Sequence, residues 1–312
     1  MRAVRTDPTG ATRLRLAEAP QPEPAPDEAL IRVEAFSLNA GEVSTALAAT
    51  DGYVPGWDFA GVVEAGAADG STPQKGTRVY GFVPQGAWAE YVVTRAIWMA
   101  EIPEPVEAAQ AAAIPVAALT ALLSLESAGT LLGRKVLITG AAGGVGRFAC
   151  QLAYLAGADV YAISRRPALP ELLRADGIPS ATVFPTIAAA KDAGRYDVIL
   201  DGVGGDSLAT ALTALAPHGV CVTFGNGSRQ ETSFLPADFY YTPGVRLQGL
   251  WLGNVMMART DGEPMLRRLV ELVRQGRLRP PIDAVLPWTS IDEAAGRLAG
   301  QGVDGKVVLT IQ

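Results

Sequence analysis

The chain has 312 residues, 49% hydrophobic and 19% charged, and its 26 Lys and Arg against 32 Asp and Glu give a formal net charge of −6. This composition suits a globular protein with large buried cores and offers no basic footprint for nucleic acid, so a small molecule is the expected partner. With one histidine, His218, and two cysteines, Cys150 and Cys221, the sequence predicts neither a metal site nor a disulfide framework. The thiols read as small buried hydrophobes and His218 as part of a surface turn.

The opening residues, MRAVRTDPTGATRLRL, scatter charge and lack the apolar core of a secretory signal, which predicts a cytoplasmic protein. APQPEPAPDE (19–28) is extended loop, because a strand pattern resumes at once on its far side. ALIRVEAF (29–36) alternates apolar and polar positions, GVVEAG (61–66) and RVYGF (78–82) are β-branched or aromatic, and AEYVV (89–93) follows a Gly-containing turn. These runs predict a β-rich domain to about residue 112.

From Pro105 helix formers dominate, interrupted at Pro115, and the most apolar stretch, Ala111 to Leu125, is shorter than the roughly 20 residues of a membrane helix. KVLIT (135–139) is a short apolar strand of the kind parallel sheets bury. DVYAI (159–163), ATVF (181–184), YDVIL (196–200), VCVTF (220–224) and RLQGLWL (246–252) follow, with helical stretches between several of them. The succession predicts an α/β fold with a doubly wound parallel Rossmann sheet. The last part is helical near 264–275 and 291–299 and closes with the strand KVVLTI; no internal repeat is visible.

GAAGGVG follows KVLIT directly and opens an amphipathic helix. Gly140, Gly143 and Gly146 stand three apart, with Gly144 and Val145 between them. Missing side chains let the backbone turn sharply and approach a pyrophosphate, and the helix N-terminus supplies amide donors and a partial positive charge. At the end of the second strand, where NAD-selective enzymes place an acid for the ribose 2′-hydroxyl, this chain has Ser164, Arg165 and Arg166. Guanidinium groups suit a 2′-phosphate, so the expected cofactor is NADPH; two solvated loop arginines are the alternative.

SLNAGEV (37–43), PGWDFAGVVEAG (55–66), GAWAEYVV (86–93), AAAIPVAALTA (111–121), VLITGAAGGVGRFACQLA (136–153), YDVILDGVGG (196–205) and GKVVL (305–309), in this order, resemble the medium-chain dehydrogenase/reductase family in its zinc-independent, quinone-oxidoreductase-like (zeta-crystallin-like) branch. The resemblance implies a GroES-like catalytic domain, 1–112 with 253–312, around a Rossmann domain, 113–252, with the active site in the cleft between them. Zinc-dependent relatives carry a Cys near the position of Leu38 and Gly-His-Glu near Gly56. Here Trp57 and Asp58 follow Gly56, and the stretch before Thr120 lacks the third ligand.

Without a Lewis acid, alcohol–ketone chemistry is disfavoured. The resemblance instead implies reduction of a conjugated C=C bond or a quinone, and dimerisation through the last Rossmann strands. It places Asn39 beside the nicotinamide and Thr120 near phosphate and ribose. The backbone around Phe224, Gly225, Leu250, Trp251 and Leu252 would hold the carboxamide. Tyr53 resembles a proton-donating tyrosine of some enoyl reductases, with a packing or substrate-contact role as the alternative. Glu42 stands where relatives often have Asp, and Lys306 either approaches the cofactor or packs at the domain junction. Trp57, Tyr53, Trp88 and Trp251 are candidates to line an aromatic cleft, or core residues. Two other functions stay open: an NADPH-binding sensor or structural protein, and a reductase of an iminium or other biosynthetic intermediate.

Overall fold

Short β-branched runs divided by Pro and Gly turns build the first part of the chain: β1 (Arg2–Thr6), β2 (Leu14–Glu18), β3 (Glu28–Ser37), helix α1 (Ala40–Ala48), β4 (Asp58–Ala65), β5 (Arg78–Phe82), β6 (Tyr91–Arg95) and β7 (Met99–Glu101). Helices α2 (Ala108–Ala112) and α3 (Pro115–Glu126) follow, and the break between them falls before Pro115, whose ring is tolerated only in the first turn of a helix. The computed structural model describes residues 1–9 and 13–311. It forms two compact units, Met1–Leu119 with Met256–Gln312 (unit 1) and Thr120–Val255 (unit 2).

Unit 2 alternates strand and helix: β8 (Lys135–Ile138), α4 (Gly144–Leu155), β9 (Asp159–Ile163), α5 (Leu169–Ala175), β10 (Thr182–Phe184), α6 (Ile187–Ala193), β11 (Tyr196–Asp201), α7 (Gly205–Leu212), β12 (Leu215–Thr223), α8 (Pro236–Tyr240) and β13 (Arg246–Gly249). The six strands are all parallel, in the order β10-β9-β8-β11-β12-β13. That is the 3-2-1-4-5-6 arrangement of a dinucleotide-binding sheet. Leu137, Ile199 and Cys221 pack on one face against Ala190, Leu208, Ala211 and Leu212. Their strand neighbours Val136, Ile138, Val198, Leu200 and Val222, pointing the other way, are equally buried, so both faces are covered.

The chain then returns to unit 1 through α9 (Leu252–Met257), α10 (Gly262–Arg274), β14 (Ile282–Pro287), α11 (Ile291–Ala299) and β15 (Lys306–Thr310). β15 joins the larger sheet of unit 1 beside β3, in the order β14-β15-β3-β4-β5-β7 with β6 also on β3. This pairing brings Ser37 opposite Val308 and so sets the start of β15 near the end of β3. Phe36, Leu38, Val43, Phe59, Trp88, Val307 and Leu309 share the unit's core.

Two expectations need correcting. RLQGLWL (246–252) is not one strand: β13 ends at Gly249, Leu252 opens α9, and all four residues of β13 are exposed. Trp88 is fully buried, stacked on Phe36 at 5.9 Å, so it lines no cleft. Among the described residues, no helix is long and apolar enough to cross a membrane.

Candidate active site

In unit 2 the glycine turn links β8 to α4. Gly140 adopts φ +59°, a left-handed conformation that costs a side chain dearly. A Cβ on Gly146 would lie 2.4 Å from the Gly140 carbonyl oxygen and 2.6 Å from the Ala141 Cα, so only hydrogen fits there. Gly143 precedes the helix and no side chain caps it, which leaves the Gly144, Val145 and Gly146 end as a backbone cradle at the positive end of a three-turn dipole.

The neighbouring strand ends are tied to this turn by Asp201, which sequence reasoning missed. Its Oδ1 accepts from Thr139 Oγ1 at 2.7 Å and its Oδ2 from the Gly204 amide at 2.9 Å, while its backbone oxygen accepts from the Phe224 amide at 3.0 Å. Burial pushes its carboxyl up, and these hydrogen bonds pull it back. A second missed feature is the buried pair Arg147–Asp176, bidentate at 2.6 and 2.8 Å, which ties α4 to the end of α5. Only the apolar spacing of α4 was legible, not the arginine inside it.

At the end of β9 the Ser164 amide donates to the Phe184 carbonyl, and Ser164 Oγ accepts the Arg166 amide at 3.0 Å. Arg165 is exposed and Arg166 half-buried. Thr120 is buried in α3. The Leu250 amide donates to Thr223 and the Phe224 amide to Asp201, so neither is left for a ligand; Gly225 and Trp251 are exposed, whereas Leu250 and Leu252 are buried.

In unit 1 the ends of β3, β4 and β15 and the start of α1 bring Ser37, Asn39, Glu42, Asp58 and Lys306 together. Asp58 is fully buried; its Oδ2 accepts from Ser37 Oγ (2.6 Å), Asn39 Nδ2 (2.8 Å) and Lys306 Nζ (3.2 Å), and its Oδ1 from the Val116 amide (2.8 Å). Lys306, 3% exposed, also donates to the Leu38 carbonyl at 3.0 Å and to Asn39 Oδ1 at 2.5 Å. Glu42 Oε1 accepts from the Asn39 amide (2.7 Å) and Nδ2 (3.2 Å), and Oε2 from the Trp57 amide (2.7 Å). Burial and the neighbouring Asp58 push the Glu42 carboxyl up to about 8, against Lys306 and the two amides.

Tyr53 sits half-buried on the loop before β4. Its backbone is held on both sides by Thr6, amide to Oγ1 and carbonyl to amide, each at 3.0 Å. Burial, and then the Glu42 charge, raise its phenol. Asn39 and Lys306 are therefore in direct contact, and Glu42 and Asp58 complete a site that the sequence marked only as departures from a pattern.

A model described as "Zinc-binding dehydrogenase" matches residues 173–309, and one described as "Alcohol dehydrogenase GroES-like domain" matches residues 25–104. A mitochondrial NAD(P)H oxidoreductase of Mus musculus is 31% identical, over 92% of this chain and 82% of that protein. The quinone oxidoreductase from Coxiella burnetii superposes with a TM-score of 0.85 at 26% identity, covering 100% of this chain and 99% of that one. The CurK enoyl reductase superposes equally, at 0.85 and 25% identity, with the same coverage.

The donor set does not fit the zinc implied by the first of these descriptions. His218 is exposed and itself adopts a left-handed φ of 63° within β12, Cys150 is buried in α4 and Cys221 in β12. Among the described residues no three His, Cys, Asp or Glu side chains converge.

Proposed function

Because the chain belongs to the medium-chain dehydrogenase/reductase family, in its quinone-oxidoreductase-like branch, and is an oxidoreductase that takes a nicotinamide cofactor, we propose that it transfers hydride from NADPH, without zinc, to a conjugated C=C bond or a quinone. The observation that carries this reading is the saturation of Asp58: four donors, Lys306 among them, surround the carboxylate, in the stretch where the resemblance places the Gly-His-Glu of zinc-dependent relatives. Without a Lewis acid on the substrate oxygen, an acceptor that is already electron-poor is favoured.

Bound NADPH supplies the hydride. The α4 cradle holds its pyrophosphate, and Arg165 with Arg166 binds the 2′-phosphate, each charge-assisted contact contributing about 1.5–3 kcal/mol before screening. Thr120 serves phosphate and ribose, Gly225 and Trp251 the carboxamide end. Tyr53, raised by burial and by Glu42, keeps its proton at neutral pH and delivers it to the carbon or oxygen that hydride addition leaves negative. Two buried free thiols suit a reducing cytoplasm, and the exposed β13 edge suits pairing of two copies sheet to sheet.

A panel of quinones and α,β-unsaturated ketones tests the reading. Steady NADPH oxidation with members of the panel is the expected result, and tight NADPH binding with no turnover on any of them would favour a sensor.

A further inference from the structure

Asn39 is hydrogen-bonded so completely that its chemistry toward a bound molecule is decided. Lys306 can only donate and an ionised carboxylate only accept, so the amide orientation is fixed: Oδ1 faces Nζ and Nδ2 faces Glu42 and Asp58. Both Nδ2 hydrogens are engaged, and Oδ1 accepts from Lys306 Nζ and, in the capping box that opens α1, from the Glu42 amide. The ammonium likewise directs its three hydrogens at Leu38, Asn39 and Asp58.

The three charged groups are not equivalent. Asp58 has Lys306 in direct contact, whereas Glu42 has three N–H donors and no cation within hydrogen-bond distance. Glu42 is also 2% exposed. Two carboxylates bridged by one asparagine, with a single ammonium on one of them, leave a buried excess of negative charge, and the carboxylate without the ammonium relieves it by taking a proton.

We propose that Glu42 is a positioning residue that fixes the orientation of the Asn39 carboxamide and holds the exchangeable proton of this buried network. The inference rests on the proposed cofactor reading only in expecting the bound nicotinamide nucleoside to lie near Asn39. The groups facing Glu42 among the described residues are Asp58 on β4, Lys306 on β15 and Tyr53 on the loop before β4. Balance of burial and Asp58 against Lys306 and the two amides places the carboxyl at about 8, so the proton exchanges within the working range of most enzymes.

The chain has three asparagines, Asn39, Asn226 and Asn254, which makes the test direct. Side-chain amides of the cofactor-free full chain, labelled with nitrogen-15 at Asn, are followed by NMR from pH 6 to 9.5, with Asn39→Asp assigning the signal. The expected result is an Asn39 resonance that moves with a midpoint near pH 8, keeps that midpoint in Tyr53→Phe, and is flat in Glu42→Gln, while Asn226 and Asn254 stay flat. An Asn39 signal independent of pH in the unmodified protein overturns the proposal whether or not the Glu42 variant folds, and so does a titration that survives Glu42→Gln. NADPH added at pH 9 should shift the Asn39 signal. Absence of that shift beside an intact titration counts against the cofactor reading alone, and leaves the Glu42 assignment supported.

Discussion

The glycine turn of unit 2 and the polar network of unit 1 are built in opposite ways. The turn works by omission: Gly140 and Gly146 remove side chains so that backbone can pack and amides can face outward, all within seven consecutive residues. The network works by accumulation, with five polar side chains from positions 37 to 306 hydrogen-bonded to one another in a buried site. A steric device fails when an atom is added, and an electrostatic device fails when a partner is removed.

Removing a partner should have the largest effect. Lys306→Met keeps the length of the side chain but leaves Asp58 and Glu42 buried without a cation, a change that typically costs about 3–5 kcal/mol. Urea unfolding followed by a probe in unit 1 should show a loss of this size, and a loss under 1 kcal/mol would mean the ammonium is not what holds the site.

Titration probes the same network more gently. Glu42 is raised from 4.5 to about 8 in the folded chain, so the stability it contributes is full below the unfolded value and disappears as pH rises through about 8. At 1.36 kcal/mol per unit, roughly 2–3 kcal/mol should be lost between pH 6 and pH 9 in the unmodified protein relative to Glu42→Gln. Parallel stability curves for the two proteins would contradict the sign and the site together.

Adding an atom breaks the other device. Gly146→Ala puts a methyl group against the backbone of Gly140 and Ala141, an overpacking of about 1–3 kcal/mol. Calorimetry should report that loss with weakened NADPH binding, while the Asn39 titration in unit 1 persists. Unchanged NADPH affinity would separate the turn from the cofactor.

The contrast also explains what the sequence could disclose. Gly140, Gly143 and Gly146 were legible because their function depends on local spacing, and the strand-to-helix succession of unit 2 because periodicity is local too. Asp58, Glu42 and Lys306 each caught the eye separately, yet nothing in a linear reading joins residue 58 to residue 306; the register of β15 on β3 does that. Asp201 and the Arg147–Asp176 pair gave no signal, since a buried carboxylate is spelled like an exposed one. The strand expected over 246–252 stopped at Gly249 because apolar Leu250 and Leu252 are buried at the entry to a helix rather than along an edge.

The arginine loop sharpens the comparison at its smallest scale, since the proposed role of Arg165 and Arg166 is toward the 2′-phosphate and not toward either unit's core. Arg165→Ala with Arg166→Ala should raise KM for NADPH by on the order of 10-fold to 100-fold at 1.4 kcal/mol per decade, with kcat and the NADH parameters nearly unchanged. Equal efficiency with NADH and NADPH in the unmodified protein would remove the phosphate role from this loop.

The proposal that carries the rest is turnover without zinc, with Lys306 rather than a metal against Asp58. NADPH oxidation by a conjugated enone or quinone, measured before and after dialysis against a chelator with elemental analysis of the same samples, tests it most directly. An unchanged rate with no stoichiometric zinc is the predicted result. A rate that disappears with one bound zinc per chain and returns when zinc is restored would contradict it.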